Sequence, residues 1–463
     1  MIPDTPPKKH AQFALSACQF FITGTTGFLQ PFLPLYILAA GLSPQRYGYA
    51  AAIGTATCLL IQPLLGKLSD KIDARRPVMI GAAIVAGLAY AAFRYAPTGN
   101  FVLLTLLLAL GANGFQYLNA ATGVLASRLA ATTGEAAGSA YVRTRVWGSV
   151  GYIVIALIAG LLVRGGTMTA KPSRDALDAV FLWGPFLFVL VAVIAGVVPD
   201  GKSTPVAPTP SPSPAPQERG VADKSGTNVP STGVATSPQA PLSCGAGEGL
   251  GVGASKRAQQ TTNRRRFLLS FLLYQISLYG ASAYLSLFLS ELNAAPTWLT
   301  ATFAAGVLCE VLIMTQVGRW TDAHGRRPAM LFSFLLLPLR LLMYIPATGP
   351  LWVLLVQSLH GFNFGILGTI AVVFVNDTAD PEKRGAAQAE LAATLGLGNS
   401  IGPIVCGYLV ERHGLGTMFG AMSVLAVVAV LLFCAFVGES HAAPNGDFVN
   451  RMPRFLRKPW LVK

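Results

Sequence analysis

Apolar residues along this chain fall into long uninterrupted runs separated by short polar stretches. Twelve runs can be marked, at 13–40, 47–65, 77–95, 101–126, 146–163, 176–198, 267–292, 298–317, 328–346, 351–375, 386–409 and 418–437. Each approaches or exceeds the ~20 residues that an α-helix needs to cross a bilayer. The pattern predicts an all-α membrane protein of twelve transmembrane helices. Lys8 and Lys9 precede the first run, as in a signal peptide, but that run is too long for a signal core and carries Pro31 and Pro34 in its second half. Proline and glycine inside the other runs do not disqualify them, because membrane helices tolerate both.

One polar phrase occurs twice, each time at the end of an apolar run. The first copy is GKLSDKIDARRP at 66–77 and the second is GRWTDAHGRRP at 318–328. In both, an Asp follows the first Gly by four residues and Arg-Arg-Pro opens the next run. A tight polar turn needs a left-handed position, which suits glycine, and paired arginines anchor the next helix at the lipid head groups. The repeat predicts a duplicated protein with six helices in each half. The expected organisation is an N-terminal bundle at 1–199, a linker at 200–265, a C-terminal bundle at 266–440 and a basic tail at 441–463. The linker is rich in Pro, Ser, Thr, Gly and Ala and has almost no aromatic residues. Such a segment buries too little to fold and is expected to be disordered.

Composition supports the membrane reading: 53% of residues are hydrophobic and 12% are charged, about half the charged fraction of a soluble domain. A net charge of +14 raises the question of nucleic acid. Here the cations sit between apolar blocks rather than on one polar face, which excludes that partner. The six cysteines follow neither a disulfide nor a metal spacing. Most Lys and Arg lie in the tails and in the loops after the even-numbered runs, among them Lys67, Lys71, Arg143, Arg264, Arg265, Arg266, Lys383 and Arg384. The opposite loops hold few: Arg46, Arg164, Lys171, Arg174 and Arg412. The positive-inside rule then puts both termini and the linker in the cytoplasm of a cell whose inner membrane carries the chain. The tail sequence RMPRFLRKPW mixes aromatics with cations; it either rests on anionic lipid or is simply solvated.

The two halves, the linker and the repeated hairpin resemble the major facilitator superfamily of transporters. The family hairpin is matched by Gly66, Asp70, Lys71, Arg75 and Arg76, with one extra residue and Asp73-Ala74 in place of a glycine. The second copy matches at Gly318, Asp322, Gly325, Arg326 and Arg327, with Ala323 where a cation is usual. The resemblance implies that these residues gate the cytoplasmic side, with Asp377 and Glu390 as further interface charges near Arg384. The stretch VRTRVWGSVGY at 142–152, Arg340, and LHGFNFG at 359–365 are similar to the branch containing the lactose permease and the nucleoside–proton and phenylpropionate transporters. That resemblance implies substrate contact by Arg145 and Tyr152, and a proton-linked network of Glu310, Arg340 and His360. The branch's second proton-linked Glu is Asn363 here, its sugar-binding Glu falls on Leu125 and its span-ten lysine on Gln357, so lactose is not carried over.

Ionisable groups inside a bilayer are costly and usually functional. Glu310 is the single charge in its run. A buried carboxyl whose cationic neighbour comes and goes takes up and releases a proton; the competing reading is a permanent salt bridge with Arg340. His360 has an ordinary pKa of about 6.5 and can carry a proton, or it is a satisfied packing residue. Further polar side chains lie on runs one, four, seven and ten: Gln19, Thr23 and Gln30; Asn113, Gln116, Tyr117 and Asn119; Tyr274, Gln275, Ser277, Tyr279 and Tyr284; and Gln357 and Asn363. Singly, each is more often glue between helices; together they suit a polar midplane site.

The resulting expectation is a monomeric, proton-coupled symporter of a small organic solute, whether sugar, nucleoside or aromatic acid, with no cofactor and no metal. A facilitator or exporter of the same fold is the alternative. A membrane enzyme is disfavoured because the five histidines show no metal or triad spacing. A transport-dead sensor is disfavoured because Glu310, Arg340 and His360 are all kept.

Overall fold

The structure is a computed structural model that describes residues 8–133, 137–163, 173–198 and 246–440. These residues form helices: α1 (Lys8–Leu29), α2 (Leu33–Ala39), α3 (Pro44–Lys71), α4 (Arg76–Ala92), α5 (Phe101–Thr133), α6 (Ala137–Leu162), α7 (Arg174–Val197), α8 (Ala246–Ala283), α9 (Leu285–Glu291), α10 (Pro296–His324), α11 (Arg326–Tyr344), α12 (Pro350–Ser358), α13 (His360–Asp377) and α14 (Arg384–Phe436). No strand occurs among the described residues. Among the described residues, nine helical segments are long and apolar enough to cross a membrane, and two bent pairs, α1 with α2 and α8 with α9, bring the number to eleven. The long α14 divides at Gly414, whose φ of 80° is not helical, which makes twelve. The outer surface is apolar, with Leu60, Leu88, Phe186, Val193 and Leu355 all more than half exposed. A bilayer covers such residues.

Duplication shows in the backbone as well as in the hairpins. The first span of each half bends by 41°. In the first half the bend follows from Pro31 and Pro34, which remove backbone donors. The loop after each bent pair turns through a left-handed residue, Gly41 or Asn293, and the next helix opens on a proline, Pro44 or Pro296. Within each bundle, glycines let backbones approach. Gly24 and Gly27 of α1 meet Gly151 and Tyr152 of α6, while Gly280 of α8 meets Gly402 of α14. Close approach through small residues is how membrane helices gain packing without a hydrophobic driving force.

The bundles touch at the end opposite the charged hairpins. There Gly48 of α3 lies against the Pro403 carbonyl and Gly407 of α14 against that of Pro44. The Tyr284 hydroxyl lies 2.9 Å from the Pro44 oxygen and 3.0 Å from the Pro403 oxygen. The Gln45 amide donates to the Glu411 carboxylate at 2.9 Å, and Gly160 of α6 packs on Thr297 and Thr300 of α10.

The hairpins differ from the sequence expectation and from each other. In the first, the left-handed position is filled by Asp73, with φ 47°; the extra residue lets Asp take the place of Gly. Arg75 pairs with Asp70 at 2.7 Å and donates to Ser69, and Arg76 donates to the Val198 carbonyl. In the second, Gly325 turns at φ 94°. Arg326 pairs with Asp322 and with Asp377, the latter at 3.3 Å, and Arg327 donates to the Val437 carbonyl at 2.7 Å. Glu439 accepts the backbone amides of both Arg326 and Arg327 at 2.9 Å, capping α11. Gly66 and Gly318 have nothing within 4 Å of a hypothetical Cβ, so packing does not demand glycine there.

Helix α8 begins at Ala246, inside the stretch 200–265 expected as a linker. Near the end of that stretch Arg264 is buried, pairs with Glu390 at 3.0 Å and donates to the Thr378 carbonyl. Glu390 therefore serves Arg264. The stretches 200–245 and 441–463 lie outside the described residues.

Candidate functional site

Beneath the closed end lie two joined lobes of cavity, of about 230 and 220 Å³, which share Gln30, Leu33, Thr55 and Asn399. The first lobe is completed by α5 and α7 through Gln116, Phe115 and Phe188. The second is completed by α8, α9 and α10 through Tyr279, Ser286 and Phe303. Both bundles thus contribute walls. Gln30 reaches the cavity because it sits at the break between α1 and α2, and its amide oxygen accepts from the Tyr152 hydroxyl at 3.1 Å. The buried Oδ1 of Asn399 and Oε1 of Gln275 have no hydrogen-bond partner. Uncovered acceptors of this kind are expensive unless something polar binds them.

Glu310 lies on α10 within electrostatic reach of Arg145 and Tyr152 on α6 and of Tyr279 on α8. It forms no hydrogen bond or ion pair with another described residue. Gly361 and Gly365 of α13 press on the backbone of α10 at Glu310, which fixes the height of the carboxylate against α13. The permanent Glu310–Arg340 bridge considered from the sequence is not formed. Arg340, 1% exposed, instead donates to the His360 Nδ1 at 2.9 Å and to the Asn363 Oδ1 at 3.1 Å. Arginine only donates, so His360 is a neutral imidazole with Nδ1 bare and the proton on Nε2. The ring stacks on Phe364 at 5.6 Å, and Phe364 meets Tyr279 edge-on. His360 opens α13 immediately after the break that ends α12.

Several side chains grouped from the sequence as ligand contacts are engaged between helices. Asn113 donates to Thr57 of α3 at 2.9 Å, and Asn119 accepts from Gln19 of α1 at 2.7 Å. Gln357 accepts from Tyr344 at 2.6 Å. Tyr274 bonds Ser333, whose carbonyl accepts from Asn363 at 2.9 Å. Gln116 and Tyr152 remain at or beside the cavity. Sequence reasoning passed over Thr55 and Asn399, because it looked for lining residues on runs one, four, seven and ten. Asn399 had a signal all the same: it is an isolated amide in the glycine-rich run TLGLGNSIGP.

Among the described residues no group of three His, Cys, Asp or Glu could hold a metal ion. A family model described as the MFS_1 like family matches residues 12–421. Curated relatives include a multi-drug resistance efflux pump PmrA homolog of Lactococcus lactis subsp. lactis (strain IL1403), 29% identical over 30% of this chain and 34% of the relative. Tetracycline resistance protein class G of Vibrio anguillarum is 30% identical over 30% of this chain and 35% of the relative. The chain thus matches only about a third of the length of these relatives. Solved structures extend the likeness to the whole fold. The nucleoside transporter NupG aligns with a TM-score of 0.69 at 16% identity, over 92% of this chain and 98% of the other. The D-xylose-proton symporter aligns with a TM-score of 0.60 at 13% identity, over 94% and 98%. With twelve spans among the described residues, in two related bundles around a shared cavity, and a family match covering most of its length, this chain is a multi-pass integral membrane protein that belongs to the MFS_1 like family of the major facilitator superfamily.

Proposed function

We propose that this chain is a proton-coupled importer of a small organic solute, a sugar, nucleoside or aromatic acid, working by alternating access. The observation that carries this reading is the setting of Glu310: a carboxylate on one bundle whose cationic neighbour, Arg145, belongs to the other. Attraction between them lasts only while Glu310 is ionised, and any rocking that parts the bundles changes how tightly Glu310 holds its proton. Proton occupancy and bundle position are then two sides of one equilibrium. Gln30, Gln116, Gln275, Asn399 and Tyr152 are the solute contacts in this reading, joined by Arg145. Asn113, Asn119, Tyr274, Gln357 and Asn363 hold the helices that present them. Arg340 and His360 form the inner part of the proton network. The positive-inside rule assigns the hairpin end to the cytoplasm, so the closed end faces outward; in this reading the chain works as a monomer in the inner membrane. The hairpin residues Gly66, Asp70, Arg75, Arg76, Gly318, Asp322, Gly325, Arg326 and Arg327 are its inner gate.

Replacing Glu310 by Gln tests the reading. Uphill accumulation in proteoliposomes with an imposed proton gradient should disappear, while counterflow without a gradient persists. Survival of uphill transport in E310Q removes Glu310 as the carrier. Export is the second reading, favoured by the efflux and resistance names of the partial relatives. Solute moving outward against its gradient in cells, and inward in inverted vesicles, would establish it over import.

A further inference from the structure

A groove of about 1010 Å³ opens between α10 and α11, with α13 as its floor, on the flank of the C-terminal bundle next to the second hairpin. It is separate from the central cavity, with which it shares no lining residue. Its character changes along its length. One end is mostly apolar, lined by Ile313, Phe332, Phe362 and Ile366, with Thr315 and Gln316 on its α10 side, and Phe332 is 50% exposed there. The other end, at the hairpin, carries Arg319, Trp320 and His324. Arg319 is exposed and makes no hydrogen bond or ion pair with another described residue. His324 stacks on Trp320 at 4.8 Å, and its Nδ1 donates to the Trp320 carbonyl at 2.9 Å.

The length of the groove identifies what fits. Ile313 and His324 are 11 residues apart on α10, a rise of about 16 Å. That is roughly half of a ~30 Å hydrocarbon core, the depth of one leaflet. An occupant must therefore be apolar for one leaflet and carry negative charge at its head, where an unpaired arginine and two rings of interfacial type wait. We propose that this groove binds one anionic phospholipid, with its phosphate at Arg319 beside the Trp320–His324 stack and an acyl chain along Phe332 and Phe362. Charge sets the choice of head group: a zwitterionic lipid brings its own cation to a place already cationic.

The test uses the full chain, delipidated in detergent and titrated with phosphatidylglycerol, with phosphatidylcholine of the same chains, or with inorganic phosphate. Phosphatidylglycerol should raise the thermal unfolding midpoint saturably, and the other two should not. Arg319→Gln should weaken the response several-fold, whereas Lys71→Gln on the first hairpin should leave it intact. Equal shifts with both lipids, a shift with phosphate alone, or an undiminished response in R319Q would each overturn the proposal. If R319Q does not fold, native mass spectrometry of the unaltered chain decides. One retained phosphatidylglycerol per chain supports the site. Equal retention of both lipids, or a dimer of chains in place of the lipid adduct, overturns it.

Discussion

At the scale of single residues, the contacts of Arg340 decide how the C-terminal bundle stores charge. Its guanidinium is buried and served by neutral acceptors, His360 and Asn363, so the charge is kept by hydrogen bonds rather than by a counter-ion. Removing one acceptor should be felt as the loss of a bond to a charged group. His360→Leu is expected to destabilise the protein by about 1.5–3 kcal/mol, and His360→Asn, which restores an acceptor oxygen, to recover part of that. Thermal unfolding of both variants in the same detergent checks the order. A midpoint for the Leu variant equal to that of the unaltered chain would mean the bond is replaced by another partner. The sequence marked Glu310, Arg340 and His360 as a group, with Asn363 among the ligand contacts, but did not reveal who pairs with whom. Residue spacing along separate helices carries no information on which helix rotates toward which, and Glu310 was an equally plausible partner on charge alone.

At the scale of elements, the two hairpins are the best comparison, since one phrase has been built twice. The second copy is capped: the Glu439 carboxylate accepts two backbone amides at the start of α11, where the helix leaves donors unsatisfied and its dipole favours negative charge. Glu439→Ala should cost about 0.5–2 kcal/mol, read as a lower unfolding midpoint; no change in E439A would show that water serves those amides as well. Gly325 is bound to this arrangement twice over, by its φ of 94° and because a Cβ there would meet the Glu439 carboxylate at 2.5 Å. The turn at 318–328 was legible in the sequence, since a glycine between charged residues marks a left-handed position. Its cap was not, because Glu439 sits more than a hundred residues away, just past the end of α14, outside any local pattern. The first hairpin reverses the lesson: no glycine marked its turn, and Asp73 takes the left-handed position itself.

At the scale of the whole molecule, hydropathy made the fold legible, because a bilayer demands long apolar helices and the repeated phrase divides them into halves. What it could not reveal is which end the bundles close. That depends on matching surfaces such as Gly48 against Pro403 and Gly407 against Pro44, and complementarity between distant segments leaves no period in a sequence. Gly48→Val should wedge the closed end apart. A cysteine placed at Ser286, which lines the second lobe, should then react with an impermeant thiol reagent from both sides of the membrane instead of only from the hairpin end. Unchanged one-sided labelling would mean that the seal lies elsewhere. Tyr284 stands at the same seam, and its chemistry sets it apart from a latch. A phenol carries one proton, yet two carbonyls lie within reach, Pro44 on the far bundle and Pro403 on its own. If the bundles part as proposed, the proton can settle on Pro403, and the number of bonds that Tyr284 donates need not change. The residue behaves as a bearing, on which one surface turns past another without a toll in hydrogen bonds. Tyr284→Phe in the chain with glycine kept at position 48 should therefore leave the labelling at Ser286→Cys one-sided, and a tyrosine that held the seam shut would make it two-sided when removed.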